Sequence, residues 1–237
     1  MMFLSCLVAV VGLALGSFLN VLVGRFEKKQ TSLTGRSYCD SCSRQLLWWE
    51  NIPLLSFLFL RGKCRTCHQS IPFRYFLVEL TTGLMFLFLF WRYWLAGWPV
   101  FLYLAIAWCL LAIFLFDWDY QIIPDRLVVA LLVLTVPLVF QSGLLLNNLL
   151  VGLIAFGFLL FLHLITKGKG MGLGDVKLAF FIGFFLGFPR TIWAFYIAFL
   201  TGAVLGVILI LLKRKKFGQT IAFGPFLILG VFLAWLI

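Results

Sequence analysis

The chain has 237 residues, of which 64% are hydrophobic, 18% aromatic and only 11% charged, with a mean hydropathy of +1.11. That composition excludes an ordinary soluble globular domain. The formal net charge of +11 reads as a topological signature and a means of contact with anionic lipid, with the bilayer as partner and no nucleic acid.

A transmembrane helix takes about 20 mostly apolar residues. Roughly eight such stretches follow in chain order, near residues 3–24, 75–95, 99–116, 127–142, 147–166, 176–188, 191–212 and 220–236. The sixth is short and holds Gly183 and Gly187. None shows the polar/apolar alternation of a β-barrel strand. The expected fold is an all-α polytopic membrane protein of about eight transmembrane helices with a small cytoplasmic zinc-ribbon-like insert after the first. Residues 1–24 form that first helix, 25–74 the insert and 75–237 a seven-helix membrane core.

No basic region precedes the first apolar run; its first positive charge, Arg25, follows it. This argues against a cleaved signal peptide and for an N-terminus outside. Threading the helices from there puts 25–74, 117–125, 167–175 and 213–219 in the cytoplasm. These loops and the adjoining helix ends hold 17 of the 19 Lys and Arg, leaving Arg92 and Arg190 outside.

The insert carries "CDSC" (Cys39, Cys42) and "CRTC" (Cys64, Cys67), two C-x-x-C knuckles at zinc-ribbon spacing. Four thiolates close a tetrahedral structural Zn²⁺ site with no open position for catalysis, and a reducing cytoplasm disfavours disulfides. His68, beside Cys67, is expected to be a solvated neighbour. Cys6 and Cys109 lie within apolar helices, where a lone Cys is usually a small core hydrophobe.

An acid at or near the membrane persists mainly when something uses it. Of the eight acids in the chain, Glu79 lies within the second helix, Asp117, Asp119 and Asp125 follow the third, and Asp175 opens the sixth. Asp125, after Pro124, suits a helix N-cap or first turn, and Asp119 a solvated loop. Asp117 and Asp175 are expected at one depth on the cytoplasmic face. Two close carboxylates share a proton, and the pair can activate water while protonating a leaving amine, which is aspartic peptidase chemistry. In "KGKGMGLGDVKL", Gly170, Gly172 and Gly174 are expected to allow tight or positive-φ geometry and bring a substrate backbone close to Asp175. Lys177 is either an interfacial anchor or a charge that tunes the site. No H-E-x-x-H or G-x-S-x-G occurs, and His163 is read as a packed or hydrogen-bonding residue. Two other classes remain. A transporter should show related halves and midplane sites, and a non-catalytic zinc-bearing assembly protein would not need both aspartates.

Nearly the whole chain resembles the bacterial type IV prepilin leader peptidase / N-methyltransferase family of GxGD aspartic membrane proteases. "GSFLNVLVGR" is similar to the family's opening helix, "CDSC" through "IPFRYFLVEL" to its cysteine-bearing segment, "DWDYQIIPD" and "GMGLGDVKL" to its catalytic motifs, and "FGPFLILG" to its last helix. The resemblance implies that Asp117 and Asp175 are the catalytic pair. It implies a multi-pass enzyme of the bacterial cytoplasmic membrane with prepilin or pseudopilin substrates, cleaved after a Gly between a basic leader and an apolar helix. It also implies methylation of the new N-terminal residue from S-adenosylmethionine. The substrate helix is expected to pack among small residues such as Gly152, Gly183 and Gly187. Glu79 is expected to be either a structural hydrogen-bonding acid or the group that holds the cleaved α-amine for methylation.

Overall fold

The computed structural model describes residues 1–27, 37–39, 41–168, 170–212 and 222–237. The basic 213–219 loop and part of the expected insert fall outside them. Among the described residues the helices are α1 (Met2–Glu27), α2 (Leu55–Phe59), α3 (Phe73–Tyr93), α4 (Pro99–Tyr120), α5 (Asp125–Ser142), α6 (Leu145–Ile165), α7 (Leu173–Leu186), α8 (Arg190–Leu211) and α9 (Gly224–Leu236). Six are long and apolar enough to cross a membrane. The expected count of eight is met only if α7 and α9 also cross, and these have 14 and 13 residues, or about 21 and 20 Å.

The third stretch runs further than its apolar pattern. α4 continues to Tyr120, so Asp117 and Asp119 lie within a helix. Polar side chains do not stop a helix; Gln121 at φ +54° and Pro124, which disfavours helical backbone just before it, do.

The chain forms two compact units, Met1–Leu104 and Ala105–Ile237. In the first, α1 packs along α3 through small residues. A Cβ on Gly16 would lie 2.9 Å from Glu79 Cα, and one on Gly83 would lie 2.6 Å from Leu13 Cδ2. Close approach of this kind takes the place of the hydrophobic effect between helices in lipid. Trp91 Nε1 donates to Ser5 Oγ at 3.0 Å near the far end of the pair.

In the second unit α7 is the core. Val176, Leu178, Ala179, Phe181 and Ile182 are all buried, and the helix contacts α5, α6, α8 and α9, as expected of a helix apolar on every side. Gly152 and Gly183 press α6 onto α7: a Cβ on Gly183 would stand 2.6 Å from the Val151 carbonyl oxygen. Asn148 Nδ2 donates to the Phe184 carbonyl at 3.0 Å, and a Cβ on Gly187 would meet Asn148. These glycines are occupied by their own helices, which corrects the expectation that they receive a substrate helix.

Candidate active site

Asp117 and Asp175 belong to the second unit. Asp117 is three residues from the end of α4 and 5% exposed; Asp175 is in the first turn of α7 and 6% exposed. Each has one oxygen tied to a backbone N–H at a helix start. Gly224, opening α9, donates to Asp117 Oδ2 at 2.9 Å, and Gly172 donates to Asp175 Oδ2 at 3.0 Å. Helix N-termini favour a negative charge in this position. The carboxylates are near enough for the charge of Asp117 to be felt at Asp175. Asp175 Oδ1 is buried without a hydrogen-bond partner among the described residues. An oxygen left bare in this way beside a second carboxylate suits a shared proton or a held water.

The glycine loop works differently from its expected role. Among its described residues positive φ occurs at Lys167 (+50°) and Gly168 (+73°), whereas Gly172 is extended at φ −79°. Gly174 is needed for space, since a Cβ there would stand 2.9 Å from Ile123 Cβ. His163 fixes the loop, its Nδ1 donating to the Met171 carbonyl at 2.7 Å. Lys177 Nζ is 2.7 Å from Asp125 Oδ1, with both side chains largely exposed. Such a pair adds little stability. Asp125 is the first residue of α5, after Pro124, as one of its expected roles required.

In the first unit the Sγ atoms of Cys39, Cys42, Cys64 and Cys67 all lie within 4.8 Å of one another, and those of Cys39 and Cys67 are 3.8 Å apart. Tetrahedral zinc with Zn–S of about 2.3 Å requires sulfurs about 3.8 Å apart, so the four residues fit the ion. The two knuckles repeat one pattern. Cys39 N–H donates to the Arg44 carbonyl and Ser43 N–H to Cys39; Cys64 N–H donates to Gln69 and His68 N–H to Cys64. Isolated bridges Tyr38–Gln45 and Lys63–Ser70 close both. Backbone N–H groups of Cys67 and Thr66 pull the Cys64 thiol down, while, against the Gln69 N–H, burial and the neighbouring cysteine sulfurs push the Cys67 thiol up. His68 is exposed at φ +55°, the counterpart of Ser43 at +56°, so it shapes a turn. Cys109 is buried as expected, but Cys6 is exposed on its helix.

Between the insert and helices α1 and α3 lies a cavity of about 400 Å³. Glu79, 9% exposed, lines it. Its Oε2 accepts from Leu54 N–H at 2.8 Å, and Ser17 lines the cavity beside it. Leu54 stands at φ +59° in a tight turn closed by Leu55 N–H on the Pro53 carbonyl at 2.6 Å. Above it, Glu50 accepts from Arg44 at 2.6 Å and from Leu47 N–H at 2.8 Å. Burial pushes Glu50 up, but these two donors outweigh it and hold the carboxyl below its ordinary range.

Residues 10–93 match the bacterial peptidase A24 N-terminal domain, and residues 104–207 match the type IV leader peptidase family. The chain belongs to the type IV leader peptidase family. The second match begins at residue 104, where the first compact unit ends. The chain is similar to the prepilin leader peptidase/N-methyltransferase of Pseudomonas aeruginosa, 36% identical over 99% of this chain and 90% of the relative. The protein of the same name from Aeromonas hydrophila is 33% identical over 97% and 89%. That from Myxococcus xanthus is 36% identical over 89% and 64%. No solved structure matches.

Within this family member, sequence reasoning missed Gly224 and Leu54. Gly224 had a signal in the Gly-Pro that starts the last apolar run, a helix opening. Leu54 had none, because the donor is a backbone N–H and any side chain would have concealed it.

Proposed function

We propose that this chain is a prepilin peptidase of the bacterial cytoplasmic membrane. It removes the leader of type IV prepilins and pseudopilins after a Gly and N-methylates the new N-terminal residue. The observation that carries the peptidase reading is the pair of buried carboxylates, each held by one glycine N–H, with the remaining Asp175 oxygen bare. Asp117 and Asp175 share one proton. The ionised member takes a proton from water as the water oxygen bonds to the scissile carbonyl carbon, while the protonated member gives its proton to the carbonyl oxygen. Collapse of the diol breaks the C–N bond: the amine leaves with the dyad's proton, and one diol hydroxyl returns its proton to the dyad as the carboxyl group forms.

The four cysteines hold one structural Zn²⁺ that organises the insert. S-adenosylmethionine, when bound, supplies the methyl group; Glu79 lines a cavity where the α-amine is held, and it takes the proton that the amine gives up. The N-terminus is outside and the dyad faces the cytoplasm, a reading that the distribution of Lys and Arg supports.

Asp117→Asn and Asp175→Asn should each abolish leader removal in membranes while the protein stays inserted with an unchanged melting temperature. Wild-type processing by either variant would remove that residue from the mechanism and leave Asp119, in the last turn of α4, as the replacement for Asp117.

A further inference from the structure

We infer that α2 and the turn after it form a docking surface for anionic lipid: Leu55, Leu58 and Phe59 enter the bilayer beside α3, and Arg61 and Lys63 meet the headgroups. The docking requires that α3 cross the membrane and is independent of the reaction proposed above.

Contacts with α3 fix the depth of α2. Leu54 N–H donates to Glu79 Oε2 at 2.8 Å, a position six residues into α3 from Phe73, or about 9 Å. Phe57 packs on Phe73 and Phe76, with ring centroids 6.0 and 5.3 Å away. The apolar span that opens at Phe73 has 24 residues, about 36 Å against a hydrocarbon core of about 30 Å. A core centred on that span begins about 3 Å beyond Phe73, so Leu54 and the start of α2 lie level with hydrocarbon. Ile71 N–H donates to the Gly62 carbonyl at 2.7 Å. That bond sets Gly62 at the level where the chain enters α3, and its neighbours Arg61 and Lys63 with it.

The helix has two faces. Ser56, Phe57 and Leu60 line the cavity, whereas Leu55, Leu58 and Phe59, spaced for one side of a helix, are 49, 60 and 79% exposed among the described residues. The backbone supplies an independent observation. A turn that enters lipid must satisfy its own polar groups, and Ser56, Leu58, Leu60, Gly62 and Lys63 N–H each donate within residues 52–63. Charge selects the headgroup. Arg61 and Lys63 are exposed and no acid occurs between Glu50 and Glu79, which suits an anionic surface. A second copy would bring the same positive charges to the contact and be repelled.

The test uses the full-length protein in nanodiscs of equimolar phosphatidylglycerol and phosphatidylcholine. A photoreactive benzoylphenylalanine replaces Phe59, and its adducts are identified by mass spectrometry after irradiation. It should capture lipid, with phosphatidylglycerol favoured about fivefold. Arg61→Gln together with Lys63→Gln should bring the two lipids to equal yield. The same group in place of Thr66, on the knuckle that the Lys63–Ser70 bridge closes, should capture no lipid. Equal yields without the charge substitutions would overturn the anionic assignment. Capture of a second copy, or of prepilin when it is added, would assign the face to protein. No adduct at position 59, in a protein that keeps its zinc and melting temperature, would place α2 in water. Either of these last two results overturns the inference.

Discussion

A methyl group on Gly224 would stand 2.6 Å from Asp117 Oδ2 and 3.0 Å from its Cγ. Neither the carboxylate nor the first turn of α9 has room to yield, since Asp117, Gly224 and Pro225 are all buried. Gly224→Ala should therefore displace Asp117 by several tenths of an ångström and lower leader cleavage about a hundredfold, the scale of loss for a misplaced catalytic group. Gly202→Ala, where a Cβ makes ordinary contact at 3.5 Å with Phe223, serves as the control and should cleave normally. Loss of cleavage in the control alone would place the sensitive glycine on α8. The importance of Gly224 was hidden in the sequence because it acts through a backbone N–H 107 residues from its acceptor.

The knuckles show how far an element can be read from its spacing. Two C-x-x-C pairs imply four convergent sulfurs because each knuckle is a tight turn with its own hydrogen bonds, and the geometry agrees. The spacing does not reveal that Ser43 and His68 occupy equivalent left-handed positions. Such backbone costs a non-glycine residue about 1–2 kcal/mol, so Ser43→Gly and His68→Gly should each raise the thermal stability of the zinc-loaded insert. Purified protein should contain about one zinc per chain, retained in both glycine variants and lost when Cys39 and Cys64 are replaced together by Ser. Intact disulfides and no metal would overturn the zinc reading. The long helices were legible from continuous apolar runs, which need no partner to identify them. The short elements Trp48–Asn51 and α2 were not, because tertiary contacts such as Glu50 with Arg44 stabilise them. The glycines of α6 and α7 were read as open surface because sequence shows that a residue is small and not what lies against it.

For the whole molecule, the proposed orientation rests on the distribution of charge, and it is tested by fusion. A periplasm-dependent phosphatase joined after Ser142, between α5 and α6, should be active, and one joined after Lys167, between α6 and α7, should be inactive. The reverse pattern would invert the proposed topology and move the dyad to the outer face. The lengths of α7 and α9 carry a different consequence. Both begin at the dyad, and both fall about 10 Å short of a hydrocarbon core of about 30 Å. The shortfall of α7 is met by protein, because α5, α6, α8 and α9 pack around it, and most of α9 is buried as well. Bilayer thickness then has no purchase on the proposed dyad, since mismatch acts on lipid-facing surface. Cleavage should proceed at one rate in vesicles of short-chain and long-chain lipid at constant headgroup; a rate that falls progressively as the chains lengthen would mean that lipid, and not the neighbouring helices, borders the two short ones.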